Sequence, residues 1–398
     1  MIVICGMSAW EYYCTPPAVR DIELPEKIAT VSPPIGAGLP HSLLFPRKNA
    51  CEASALISKR LLFDLKGLSL PINVFAEEGS NYRANKLIAP HRKPSWLPYD
   101  ELIKLGSDLY ITSPQLTLLH LARTVSWQQL SLLMLEACGL FAIFRGTLRS
   151  AAILNGIKEH YGARSQSLPF IPAIAEFCDE NGNLLHQTNP CSPVETWTPC
   201  FDRFGKMTEI WKRPPLCSTK DLEDIIRSAS RMNGLQNART ALAQTADGCG
   251  SPLEARLFLL LCASTTYGGE HWERPSLNRR VVFTKNAQKL SGQSHCACDL
   301  LWVDKKVAIE AKGKAFHADQ NGFEIEHGRR AALESMGYTE FDVIYRQIAD
   351  CNQFDALLHT FSKRLGFALQ ERTPLFLRRR KQLHDALFPY KWVQERNV

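Results

Sequence analysis

Asp299, Glu310 and Lys312 lie on two short apolar runs with the pair Asp304-Lys305 midway between them. If that pair forms a two-residue turn, or the centre of a four-residue loop, Asp299 lies directly across an antiparallel hairpin from Glu310. A three-residue loop would break this register. Alternation then places Leu300, Trp302, Val307, Ile309 and Ala311 on one apolar face suited to packing on a helix. Asp299, Glu310 and Lys312 share the other. Directly opposed residues have Cβ atoms roughly 4.5–5.5 Å apart, and like charges there cost on the order of 0.2–1 kcal/mol. A divalent cation between the carboxylates removes that cost. Mg²⁺, with Mn²⁺ as a substitute, takes one or two carboxylates together with water and phosphate oxygens. Lys312, two residues along the strand, is placed to orient a water and offset charge building on a phosphate. The chemistry this trio suits is metal-assisted phosphodiester hydrolysis.

Regular elements must hold these side chains. From Ser251 to about Leu365 the pattern reads helix (252–264), strands (279–284, 297–303, 306–311), helix (323–336), strand (341–346) and helix (353–365). An αβββαβ order implies a mixed sheet flanked by helices, hence an α/β (α+β overall) fold. Upstream, strands are expected at Pro71–Phe75, Lys86–Ile88 and Leu109–Thr112. Ser113-Pro114 offers an N-cap and N1 proline, and Ser126-Trp127-Gln128-Gln129 a capping box opening a helix over Trp127–Cys138. Leu222, Ile225, Ile226, Ala229 and Met232 share one helical stripe, which Gly234 should close.

The segment resembles the PD-(D/E)xK nuclease signature: Asp299, then Val307-Ala308-Ile309 leading into Glu310-Ala311-Lys312. Ser251-Pro252-Leu253-Glu254, Gly313-Lys314-Ala315-Phe316-His317, Arg329–Tyr338 and Val343-Ile344-Tyr345-Arg346 are more specifically similar to the branch related to very-short-patch mismatch repair endonucleases. Many members of that branch carry an acid where this chain has Lys312. The resemblance implies a restriction-endonuclease-like core and an endonuclease acting on nucleic acid, most readily DNA. It makes Asp299 and Glu310 metal ligands, completed by the helical acid Glu254. Lys312 becomes the water-orienting base or electrostatic group, and His317 the histidine after the glycine turn. Lys314, Arg329, Arg330, Arg346 and Arg379 are the candidate contacts to nucleic acid. A shorter Leu-rich stretch, Ile111–Arg123, resembles the region before the nuclease domain in type IV abortive-infection antitoxin-like regulators. It implies a recognition or protein-partner role for the N-terminal region.

Several of these residues have plainer readings. Ser251-x-x-Glu254 is also a capping box, in which Glu254 bonds the first helical N–H. His317 also suits a turn or core histidine, and Arg329 and Arg330 a solvated helix face. Arg378-Arg379-Arg380-Lys381 reads as an exposed basic tail or as a backbone contact to nucleic acid. Cys296 and Cys298 lack metal-ligand spacing and read as packed thiols. A different class of protein, a non-catalytic DNA-binding regulator of toxin–antitoxin type on a nuclease-like scaffold, is the alternative function.

Composition narrows the setting. The chain has 398 residues with 47 Lys+Arg against 40 Asp+Glu, a net charge of +7. Residues 251–398 hold 22 basic and 17 acidic residues, so most of the excess falls in the third of the chain that carries the opposed carboxylates. Thirteen cysteines at irregular spacing, with no basic n-region at Met1–Gly6, suggest a reduced cytoplasmic protein. The longest apolar stretch, Leu130–Phe144, contains Glu136 and is too short to span a bilayer. Cys178, His186, Cys191, Cys200 and Cys217 invite a zinc reading but include no Cys-x2-Cys pair. Length implies two or three domains. The expected organisation is an irregular wrap (1–50), a small α/β domain (51–163), a Pro/Cys-rich connector (164–217) and linking helices (218–250). The nuclease domain (251–370) and a basic tail (371–398) follow.

Overall fold

The computed structural model describes residues 2–20, 65–76, 84, 86–94, 97–105, 109–151, 154–155, 197–202, 206–229, 232–313 and 320–389. The chain divides into two units. One comprises residues 1–121, 143–163 and 189–197; the other comprises 122–142, 164–188 and 198–398.

The first unit is built on β1 (Ile2–Ile4), whose three residues are all buried. This strand lies at the centre of a sheet ordered β3-β2-β1-β5-β4, with β2 at Ile72–Ala76, β3 at Ile88–Arg92, β4 at Leu102–Lys104 and β5 at Leu109–Thr112. β1 runs parallel to β5 and antiparallel to β2. Helix α1 (Gly6–Cys14) follows β1, and α2 (Pro17–Arg20) comes next. After β5, α3 (Pro114–Leu121) begins with its proline as expected, Ser113 Oγ accepting from the Leu116 N–H at 3.2 Å. The expected irregular wrap is therefore overturned for residues 2–20. A central strand buried on both faces has no alternation to announce it. Residues 21–50 lie outside the described set.

In the second unit α4 (Trp127–Ala137) opens on the expected Ser126–Gln129 capping box. A small sheet, β6-β8-β7, joins β6 (Phe141–Ile143) to β7 (Thr198–Phe201) and β8 (Met207–Lys212). The end of the expected connector is thus a hairpin. Helix α5 (Thr219–Ser228) stops short of Gly234. That glycine, at φ 88° with the Ala122 carbonyl 2.6 Å from where a Cβ would sit, instead opens α6 (Leu235–Leu242).

The remaining elements follow the expected order. They are α7 (Pro252–Cys262), β9 (Ser276–Val282), α8 (Lys285–Ser291), β10 (His295–Trp302), β11 (Val307–Lys312), α9 (Gln320–Ser335), β12 (Thr339–Ile344), α10 (Tyr345–Ala349), α11 (Cys351–Leu365) and α12 (Pro374–Leu387). The sheet is mixed, ordered β12-β11-β10-β9, with β12 parallel to β11 and the other pairs antiparallel. Sequence reading misses α8, which buries only Ala287 and so carries no stripe.

Four residues, Val303–Lys306, form the hairpin loop, centred on Asp304-Lys305. Leu300 pairs with Ile309, Leu301 with Ala308 and Trp302 with Val307. This is the register expected above. Leu300, Trp302, Val307, Ile309 and Ala311 are all buried, and α7 packs against β10 and β11. On the other face Leu301 and Ala308 meet Ala332 and Leu333 of α9, Ala287 of α8, and the buried thiols Cys296 and Cys298. Ile309, fully buried, makes a direct test of this layer. Ile309→Ala should cost about 2–5 kcal/mol, read as a lowered urea midpoint of the second unit's transition.

The expected basic tail is corrected over Pro374–Leu387. Thr373 caps this helix, and the buried residues Phe376, Arg380, Leu383, His384 and Leu387 form its inner stripe. Four consecutive cations hid that periodicity. Among the described residues no helix is long and apolar enough to cross a membrane.

Candidate active site

The β10–β11 ladder ends at the Leu300–Ile309 pair, and carboxylates take over beyond it. Glu310 Oε1 accepts from the Asp299 N–H at 3.3 Å, while Asp299 Oδ2 accepts from the Ala311 N–H at 2.8 Å. Each acid thus bonds the backbone of the opposing strand. The hairpin register brings them together on a site where two strands part.

Glu254 comes from the first turn of α7. Ser251 Oγ accepts from the Glu254 N–H at 3.2 Å, so the helix is capped as a capping box would begin. The carboxylate, however, accepts from the Gly250 N–H and from Asn278 Nδ2, both at 2.7 Å. Lys212 Nζ donates to the Gly250 carbonyl at 2.5 Å, so one residue, Gly250, bonds both Glu254 and Lys212. Glu254 is 3% exposed.

Electrostatics couple these acids. Burial raises the Glu254 pKa, against the lowering influence of Lys212 and the Gly250 N–H. Asp299 is pushed well above the usual carboxylate range, by burial first and then by the Glu254 and Glu310 carboxylates; the Ala311 N–H and Arg329 oppose this. Two carboxyls in one low-dielectric site resist ionising together.

Glu310 and Lys312 face a second set of charges on α9 and β12. Arg329 Nη2 lies 2.5 Å from Glu310 Oε1 and 3.6 Å from Glu340 Oε2. Lys312 Nζ lies 2.8 Å from Glu326 Oε1 and 3.7 Å from Asp342 Oδ1. Arg330 pairs with Asp342 and, at 3.7 Å, with Glu340. Burial works against the Lys312 charge, but the Glu310 and Glu326 carboxylates outweigh it and raise its pKa. In the same way Glu310 and Glu340 raise that of Arg329 against its burial.

The described residues include one set of three acids with ligand atoms within 4.8 Å of one another, Glu326, Glu340 and Asp342. Lys312, Arg329 and Arg330 already neutralise that set. Among the described residues Glu254, Asp299 and Glu310 form no such set: Asp299 and Glu310 each bond a backbone N–H of the opposing strand, Glu254 bonds Gly250 and Asn278, and a shared field connects the three. Arg329 is not the solvated face that its helical position suggested, since its side chain is only 14% exposed. Arg346 is exposed on α10 and Arg379 half-buried on α12; neither belongs to this network. Lys314 and His317 lie outside the described residues, as do Cys178, His186 and Cys191. Cys200 and Cys217 are buried free thiols.

Sequence reading missed Asn278, Gly250, Lys212, Glu340 and Asp342. Glu340 and Asp342 alternate along β12 opposite Ala308 and Glu310, a period-two signal legible in Thr339–Ile344. Asn278 gave no more than a polar, turn-tolerant residue inside a strand run.

Comparison with protein-family models, curated proteins and solved structures returns no match. The site must therefore be interpreted from its own chemistry.

The donor set is one of hard oxygens. Asn278, whose Nδ2 donates to Glu254, has its Oδ1 buried without a hydrogen-bond partner. Oxygens of this kind suit Mg²⁺ or Mn²⁺ rather than a thiophilic ion, although the ligand atoms of Glu254, Asp299 and Glu310 do not all lie within 4.8 Å of one another.

Proposed function

We propose that the second unit is a divalent-metal-dependent nuclease on a PD-(D/E)xK, restriction-endonuclease-like core, with DNA as its substrate. The observation that carries this reading is the exchange across the parted hairpin, with Asp299 and Glu310 each bonded to the other strand and Glu254 within their electrostatic reach. A fold gains little by collecting like charges in a buried site unless a cation offsets them. Glu254, Asp299 and Glu310 would hold the metal, which when bound acidifies a water and neutralises phosphate charge. Lys312, kept protonated by Glu310 and Glu326, serves as a fixed positive charge beside the phosphate rather than as a base. Arg329 holds Glu310 in place from α9. The net positive charge of residues 251–398 attracts the polyanion around this acidic centre.

The experiment is plasmid and RNA cleavage with Mg²⁺ against EDTA. Wild type should cut DNA only with the metal, and Lys312→Ala should lose roughly 10²–10³-fold in rate. Failure of wild type to cut any nucleic acid, or equal cutting by Lys312→Ala, rejects the enzyme. One observation favours a non-catalytic DNA-binding regulator: Glu310 is already neutralised by Arg329. That alternative predicts salt-sensitive DNA binding with no metal requirement and no cleavage.

A further inference from the structure

We propose that the outer strand β9 and the helix α8 that follows it form the surface that takes the phosphate backbone of DNA. The inference deepens the nuclease reading above and rests on it for the class of partner. Between Glu273 and Asp299 the chain carries Arg274, Arg279, Arg280, Lys285 and Lys289 and no acid. The rest of residues 251–398 is balanced, with 17 basic to 17 acidic residues. This one stretch therefore supplies the whole positive excess of that part of the chain. Like charges with no acid among them repel one another, and a polyanion is the partner that offsets the repulsion.

The ion pairs separate spent cations from available ones. Lys312, Arg329 and Arg330 are bound to acids of β11, α9 and β12, Arg380 to Glu270, and Lys381 to Asp385. Arg274 donates to the Thr245 and Ala243 carbonyls. Among the described residues Arg279, Arg280, Lys285 and Lys289 pair with no acid. Arg279, Lys285 and Lys289 are exposed, and Arg280 is half-buried with Nη2 3.3 Å from His295 Nδ1. Their placement suits a backbone track. β9 is an edge of its sheet and pairs only with β10. Arg279 stands across from Cys298, the residue before Asp299, and Arg280 across from Ala297, so the two leave opposite faces of the edge. The Phe283 N–H donates to the Ser294 carbonyl at 2.9 Å, and Thr284 Oγ1 accepts from the Ala287 N–H at 3.3 Å, which turns the chain directly from β9 into α8. Lys285 is six residues beyond Arg279, within roughly 20 Å even along a fully extended chain. Phosphates of one DNA strand repeat about every 3.4 Å along the axis, so one strand can meet both. The cationic edge thus starts beside the candidate site and leads away from it.

The test is binding of a fluorescein-labelled DNA duplex to the full chain, followed by anisotropy across a salt series. EDTA is present throughout, which keeps binding apart from cleavage. Wild type is compared with the triple variant Arg279→Gln/Lys285→Gln/Lys289→Gln and with a control triple, Lys220→Gln/Lys363→Gln/Arg378→Gln, that removes the same charge elsewhere. All six residues are exposed, so both variants should melt with wild type. The plot of log affinity against log salt should be shallower by about 2.7 in the first triple, three phosphate contacts at about 0.9 each. The control should keep the wild-type slope. A first triple that binds with the affinity and slope of wild type overturns the assignment and leaves the nucleic-acid reading standing; the edge would then suit an acidic protein. Equal losses in the two triples also overturn it, because net charge alone would account for them. Absence of salt-dependent binding in wild type rejects the nucleic-acid reading and this surface with it.

Discussion

Asp299→Asn should abolish cleavage and at the same time make the metal-free protein more stable at neutral pH, by about 1–3 kcal/mol, the scale on which an unpaired buried charge destabilises. The two effects share one cause. Burial and the fields of Glu254 and Glu310 raise the Asp299 pKa in the folded state. A carboxyl raised in this way contributes stability that is complete below the unfolded value of about 3.9. That stability is lost as pH rises through the folded value. Asparagine mimics the protonated form at every pH and can keep an oxygen on the Ala311 N–H, which Asp299 Oδ2 now accepts at 2.8 Å. In EDTA the melting temperatures of wild type and variant should therefore lie close together at acid pH. They should diverge in the variant's favour as pH climbs towards neutrality. Adding Mn²⁺ should reverse the order, since a cation that binds the folded state stabilises wild type by mass action. A variant less stable than wild type at neutral pH in EDTA would mean that Asp299 is there to cap the parted strand, and the metal reading would lose its main support.

The elements that place Asp299 and Glu310 could be read in advance because hairpin register depends only on loop parity and alternation. Both were set by the residues from Asp299 to Lys312. The four-residue loop preserved the pairing that a two-residue turn would have given. Glu254 was legible as a helix-start acid, but its two roles could not be separated by sequence, because capping and ligation demand the same residue at the same place. The structure shows the cap supplied by Ser251 and the carboxylate turned to Gly250 and Asn278. Asn278 itself depends on a strand pairing and a left-handed backbone, neither of which follows from local composition. Arg329 and Arg330 looked like a solvated face because nothing local reveals that β12 presents Glu340 and Asp342 to them. The same limit hid β1: its burial on both faces follows from the strands that arrive from residues 72 and 109.

Glu270→Gln should be the most destabilising conservative change in the second unit, costing about 3–5 kcal/mol, as removing one partner of a buried ion pair does. Glu270 is fully buried. Its Oε1 takes Arg380 Nη2 and, at 2.7 Å, Arg372 Nη1, and its Oε2 accepts from the Gln370 N–H at 3.0 Å. Arg380 Nη1 also donates to the Leu260 carbonyl at 3.1 Å, so this acid ties α12 to the C-terminal half of α7. A neutral glutamine keeps the shape but leaves the buried Arg380 guanidinium beside that of Arg372 with no acid between them. Burial already lowers the Arg380 pKa, with Glu270 the first of the influences that hold it up. The double variant Glu270→Gln/Arg380→Met should therefore recover part of the loss, which a thermal-melt cycle would register as a coupling energy. Cation affinity should change far less than stability. Glu254 sits in the first turn of the same helix, whose 11 residues span roughly 16 Å at about 1.5 Å each, and it is held there by Ser251, Gly250 and Asn278. A Glu270→Gln protein within about 1 kcal/mol of wild type would show that the two arginines find solvent or other acids, and that α12 is held to α7 by its apolar stripe alone.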